Sequence, residues 1–242
     1  MAGPSVLESV VRARALNRNR VLALSLAAIA ISWGRTLWNG LGSPYMPPAD
    51  FSTLVLNIVV TKSVIALVVL ALLWAGGEGL RTLGFVSPRW MSAIGRGLVY
   101  GVIVFVVLNV ALPTALAAVL RLPGGENAGS LTGFFRDPAN LLVWLPIGVI
   151  GGGIVEELER AFILTRFELW MGKSGLYAGL ALSSIVFGVA HLYQSTGTGI
   201  SAAASGLAFG LIYLRRRSGL EAATSHAFAD VLGVIAATLL AQ

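Results

Sequence analysis

The chain alternates long apolar runs with short polar breaks marked by proline or glycine. Runs at roughly 21–39, 52–75, 97–119, 141–170, 175–193, 199–214 and 219–240 approach or exceed what a hydrocarbon layer of about 30 Å requires at about 1.5 Å per residue. Pro44, Pro47 and Pro48 mark the first break and Pro88 the second. Pro123, Gly124 and Gly125 open the third, and Gly172 and Gly175 flank the fourth. Backbone polar groups in lipid must be satisfied within their own segment, so these runs predict helices. The fold class expected is all-α, a polytopic integral membrane bundle of about seven, or eight, transmembrane helices.

Composition supports a membrane protein. Of 242 residues, 56% are hydrophobic and 12% charged, where a soluble domain carries about 25% charged. Little length remains for a soluble domain, so 1–242 is expected to be a single membrane domain. Cysteine is absent, which excludes disulfides, thiolate metal sites and a cysteine nucleophile. The first run ends at Trp38, Asn39 and Gly40 rather than at a small-residue cleavage motif, and is read as a retained span.

Charge gives an orientation. With the N-terminus cytoplasmic, Arg12, Arg14, Arg18, Arg20, Arg81, Arg89, Arg96, Arg166, Lys173, Arg215, Arg216 and Arg217 share that side. Only Arg121 and Arg136 fall in loops on the other. Residues 1–20 then form a basic cytoplasmic segment, the C-terminus lies outside, and the net charge of +6 is a topology signal, with no call for nucleic acid. The lipid bilayer is the expected surrounding, in a prokaryotic cell membrane.

Few ionisable groups fall inside the runs, and each is costly there unless it faces protein or water. Arg35 sits near a span end and can snorkel. Lys62 is nearer mid-span and is expected to pair with a carboxylate or to snorkel along a tilted helix. Glu156, Glu157, Glu159 and Arg160 form the densest cluster. At 100° per residue Glu156 and Arg160 share a face, which predicts that Arg160 holds Glu156 ionised, while Glu157 can share the guanidinium. A buried ion pair that fixes helix packing is the plain alternative.

His191 follows Phe187 by four residues, and Asp230 follows His226 by four, so each pair shares a helix face. Counted from Trp170 and Leu176, Glu156 and His191 both lie about 21–23 Å deep and can meet. His226 counts to only about 11 Å and Asp230 to about 17 Å, a mismatch that tilt, a kink or a re-entrant boundary would remove. Such a group can polarise a water: a glutamate as general base, a histidine assisting, and His226 with Asp230 on the oxyanion side. An ionised Asp230 would repel an oxyanion, so it donates as an acid or orients His226. The same residues permit zinc on Glu156, His191 and His226, although no HExxH is present. No cofactor is otherwise expected.

The ordered set of paired glutamates with an arginine, then FxxxH, then Hxxx(N/D) on late helices resembles the CPBP family of intramembrane proteases. That group includes the CAAX prenyl endopeptidases and bacteriocin-processing and immunity proteins. The resemblance covers Gly151 to Ala236 and implies an all-helical membrane hydrolase with a glutamate-activated water and catalytic helices within 141–240. It implies Glu156 as base, His191 as its partner on the water, His226 and Asp230 on the oxyanion side, and Glu157 with Arg160 in support. The family pattern is EExxxR, whereas this chain reads EExxR. Either Arg160 is displaced by one position, or Val155 and Glu156 occupy the glutamate positions. The implied function is an endopeptidase cutting near a membrane anchor, on a membrane-associated or lipid-anchored substrate. The competing functions are a proton-coupled transporter and a non-catalytic immunity or scaffold protein. Glycines at 151–153, 206 and 210 mark close helix packing.

Overall fold

The computed structural model describes residues 6–42, 50–120, 134, 135 and 137–240, with backbone alone for 6–16, 120 and 240. The expectations for Pro44, Pro47, Pro48, Arg121, Pro123, Gly124, Gly125 and Arg136 fall outside these residues, as do those for the side chains of Arg12 and Arg14.

Among the described residues all regular structure is helical. Helix α1 (Val6–Leu37) widens into a π-turn at Trp38–Gly42, and α2 spans Phe51–Ala75. Helix α3 (Trp90–Val104) passes through a π-helical stretch at Phe105–Ala111 into α4 (Leu112–Leu120). Helix α5 (Leu141–Pro146) runs through a second π-helical stretch, Ile147–Glu156, into α6 (Glu157–Val189). Helices α7 (Thr196–Arg216) and α8 (Gly219–Leu240) follow.

Among the described residues six segments are long and apolar enough to cross a membrane. The difference from seven runs lies in one of them, Pro138–Val189, which is counted once over 52 residues. At Gly172 its backbone turns to φ 64°, ψ −146°, a conformation open to glycine alone at little cost. There the chain folds back on itself. A Cβ at Gly179 would lie 3.0 Å from the Phe167 side chain, and the Arg160 guanidinium lies 5.0 Å from the Phe187 ring centre. The expected runs 141–170 and 175–193 are thus two arms of one hairpin.

Paired charges tie together one end of the bundle. Arg166 donates through two nitrogens to Glu78, both at 2.7 Å, and Arg217 donates to Glu168 at 2.6 and 2.7 Å. Arg96 donates to Glu221 at 2.8 Å, in a helix that begins at Trp90 rather than 97. The Gly219 N–H donates to Leu83 O at 3.2 Å. This corrects the depth count: α8 starts level with Leu83, and the residue two before it reaches Glu168. His226 Nδ1 lies 2.9 Å from Glu157 Oε1, so the imidazole is at the depth of the glutamates.

Burial separates an inner from an outer set of helices. In their most apolar windows, 39% of Pro138–Val189 and 44% of Thr196–Arg216 are buried, against 11% of Phe51–Ala75 and 6% of Trp90–Val119. The outer helices present Leu24, Leu67, Trp74 and Val99 outward, as hydrocarbon favours. The core joins Ile29, Leu73, Phe162, Leu164, Phe167, Leu180 and Tyr213. Glycines admit the closest neighbours: a Cβ at Gly97 would meet Glu221 O at 2.9 Å, and one at Gly101 would meet Ser225 O at 2.8 Å.

Candidate active site

Pro146 lacks an N–H for the helical ladder, and the wide π-helical turns of Ile147–Glu156 follow directly. Gly151, Gly152 and Gly153 leave that stretch bare of side chains, so α8 can approach its backbone. A Cβ at Gly153 would meet Ala223 O at 2.9 Å, and one at Gly152 would fall on Asp230 Oδ2 and lie 3.6 Å from His226 Nε2. The widened segment thereby delivers Glu156 and Glu157 opposite His226 and Asp230.

The adjacent glutamates diverge. Glu157 points inward with its side chain 1% exposed, and its oxygens accept from Arg160 Nε at 3.1 and 3.2 Å. Its Oε1 also accepts from His226 Nδ1 at 2.9 Å. Glu156, 16% exposed, pairs through Oε1 with the Lys62 ammonium, and its Oε2 lies 3.7 Å from His226 Nε2. The expected pairing of Glu156 with Arg160 is therefore replaced by Glu157 with Arg160 and Glu156 with Lys62. The local cause is the end of the π-helical stretch at Glu156: from Glu157 onward the helix is α, and three residues bring Arg160 beneath Glu157. Of the two registers of the EExxR string, the arginine-shifted one matches this pairing. Glu159 turns toward α1, where its side chain meets Ser32.

The histidines lie where the two helix-face spacings pointed. His191 follows the C-terminus of α6, and its Nδ1 donates to Phe187 O at 2.8 Å. A carbonyl oxygen only accepts, so the neutral His191 ring carries its lone pair on Nε2. The Phe187 ring lies 4.6 Å from His191 and, edge-on, 5.9 Å from His226. Phe209 stacks on His226 at 4.2 Å and 17°. His191 is in electrostatic range of Glu156, Lys62 and His226. Asp230 Oδ1 lies 3.7 Å from His226 Nε2, so Glu157, not Asp230, makes the short bond that orients the imidazole.

Glu156, Glu157, Arg160, His226 and Asp230 thus form one cluster, and His191 joins it through the Phe187 ring. Sequence reasoning left Lys62 outside its candidate set, although a mid-span ammonium was the signal for it. It had no signal for Phe209, whose role depends on contact across helices. Among the described residues no three of His, Asp and Glu are grouped as a metal cage.

A helical membrane protein whose inner hairpin carries paired carboxylates against two histidines has the makings of a membrane-embedded hydrolase. Residues 138–232 match the family model described as type II CAAX prenyl endopeptidase Rce1-like. No curated protein and no solved structure matches the chain. The matched segment contains all six predicted site residues. The long apolar helices among the described residues fit an integral membrane setting.

Proposed function

We propose that the protein hydrolyses a peptide bond near a lipid anchor with a water activated by Glu156 and His191. The asymmetry between the two glutamates supports this: Glu157 is committed to Arg160 and His226, whereas Glu156 keeps Oε2 turned into the pocket. A water that donates one hydrogen to Glu156 Oε2 and the other to His191 Nε2 presents its lone pair to a carbonyl carbon. As the C–O bond forms, Glu156 takes the water proton. The carbonyl oxygen becomes an oxyanion beside His226, whose imidazolium donates from Nε2 while Glu157 holds Nδ1. Asp230 Oδ1 flanks Nε2 at 3.7 Å, across the ring from the Glu157 bond. The C–N bond then breaks, Glu156 returns the proton to the leaving amine, and the products are a carboxylic acid and an amine. The chemistry draws on no cofactor.

The test is cleavage of a farnesylated CAAX-type peptide by the purified chain in lipid vesicles. Glu156→Gln and His191→Ala should each lower kcat by at least about 100-fold while the protein remains folded in the membrane. Cleavage at the wild-type rate by both variants overturns the assignment. Proton flux without cleavage favours a transporter, and loss of cleavage in a zinc chelator favours a metal mechanism. The Gly172 hairpin and the position of the arginines also support a seven-crossing topology with the N-terminus in the cytoplasm.

A further inference from the structure

Lys62 belongs to α2, outside the matched segment of residues 138–232. It is a charged residue deep in a span otherwise dominated by Leu, Val and Ile, with no acidic neighbour on its own helix. Its aliphatic stem lies against the bare turn at Gly151, where a Cβ would be 3.6 Å from Lys62 Cγ. From there the ammonium reaches Glu156 Oε1. Glu159, Asp230 and Glu156 all lie within its electrostatic range. Four carboxylates, those of Glu156, Glu157, Glu159 and Asp230, gather near this pocket, and Arg160 is spent on Glu157.

On this geometry, and resting on the proposed hydrolytic reading, we infer that Lys62 is a positioning residue that fixes the rotamer of the base. With Oε1 tethered to the ammonium, the carboxylate plane is set and Oε2 is the oxygen left to face His226 and the water. An untethered glutamate side chain samples several rotamers, and a displacement of about 1 Å in a reacting group costs about 100-fold in rate. The ammonium also screens Glu156 from Glu159 and Asp230, so that a carboxylate, not a carboxylic acid, meets the water. The stem lies against Gly151 with the side chain 26% exposed, so an aliphatic substitute retains volume and removes the tether alone.

The experiment compares wild type, Lys62→Met and Lys62→Arg on the farnesylated peptide in vesicles, with kcat and KM determined separately and thermal unfolding followed in detergent. Lys62→Met should lose about 100-fold in kcat with KM changed less than about threefold. Lys62→Arg, which keeps a cation at the end of a long stem, should recover at least about a tenth of the wild-type kcat. An active wild type with undiminished kcat in Lys62→Met overturns the inference alone. Equal losses in a folded Lys62→Met and a folded Lys62→Arg also overturn it by reducing Lys62 to packing. A wild type that fails to cleave overturns the hydrolytic reading itself.

Discussion

The Nδ1 of His226 donates to Glu157 Oε1 at 2.9 Å, a bond between residues 69 positions apart that sets one helix against another and selects the ring's tautomer. The same carboxylate accepts from Arg160 Nε. Glu157 therefore acts on the pocket through two cations or donors while keeping no oxygen for water. Glu157→Gln should lower kcat by about 10–100-fold through misorientation of His226. It should also destabilise the fold by about 3–5 kcal/mol, because Arg160 stays buried without its counter-charge. Kinetics in vesicles and denaturant unfolding in detergent measure the two effects. An unchanged kcat in Glu157→Gln would remove Glu157 from the site.

Gly152 marks where α8 comes nearest the active turn. An added Cβ there displaces the Asp230 carboxylate and crowds His226 Nε2. Gly152→Ala should cost about 1–3 kcal/mol by overpacking and about 100-fold in kcat by misplacement of Asp230. Gly95→Ala serves as the comparison, since a Cβ at Gly95 has nothing within 4 Å. It should leave kcat unchanged and raise stability by up to about 1 kcal/mol.

The pairing of Arg166 with Glu78 is structural. The guanidinium has two bonds of 2.7 Å to Glu78 and stacks 4.6 Å from the Phe162 ring centre. Nine helical positions separate Arg166 from Glu157, about 13 Å along the axis. Arg166→Ala should lower stability by about 3 kcal/mol, measured by unfolding, with kcat per folded molecule unaltered. A fall in kcat without a fall in stability would tie this end of the bundle to the chemistry.

How far the sequence disclosed this arrangement depends on the length scale of each interaction. Apolar runs were legible because the cost of unpaired backbone in lipid imposes long helices, and the spacings Phe187 to His191 and His226 to Asp230 were legible because a helix repeats every 3.6 residues. The partner of Glu156 was not, because the π-helical stretch ending there alters the angular relation on which the prediction of Arg160 relied. The Lys62 contact spans 94 positions and depends on how α2 packs against the π-helical stretch, a fact about packing rather than periodicity. The fold-back at Gly172 was marked as a break, but its left-handed dihedral appears only in the structure. The shallow count for His226 failed because the height of α8 is fixed by the packing of Ala223 and Ala227 on Gly153, residues distant in sequence.

Outside the spans, Asp50 caps α2 by accepting from the Thr53 N–H at 2.8 Å and the Ser52 hydroxyl at 2.7 Å. These bonds hold its carboxyl below the ordinary aspartate value of 3.8, with the Ser52 hydroxyl the largest cause. A depressed value in the folded state means that the cap is fully present above the ordinary value and is lost as pH falls through the folded one. At pH 7 the Thr53 amide should therefore exchange hydrogen faster in Asp50→Ala than in wild type. As pH falls through that lowered value the two rates should converge. A constant ratio across that range would assign the protection to something other than the carboxylate.

The absence of cysteine makes the topology directly testable, since each introduced thiol reports alone. Asp137, Lys173, Thr196 and Gly79 are exposed, and their placements separate the possible crossings of Pro138–Val189. If the segment crosses twice, with its hairpin at Gly172, Asp137→Cys and Thr196→Cys react from one face of the membrane and Lys173→Cys from the other. If it crosses once, Asp137→Cys and Thr196→Cys react from opposite faces. The bonds from Arg166 to Glu78 and from Arg217 to Glu168 draw both ends of that comparison to one side, so Gly79→Cys should label with Lys173→Cys. The arginine bias assigns that side to the cytoplasm. Intact cells treated with a membrane-impermeant maleimide should modify Asp137→Cys and Thr196→Cys, while Gly79→Cys and Lys173→Cys should react only after permeabilisation. The reverse pattern would keep the hairpin and invert the protein, moving the mouth of the pocket relative to any cytoplasmic substrate.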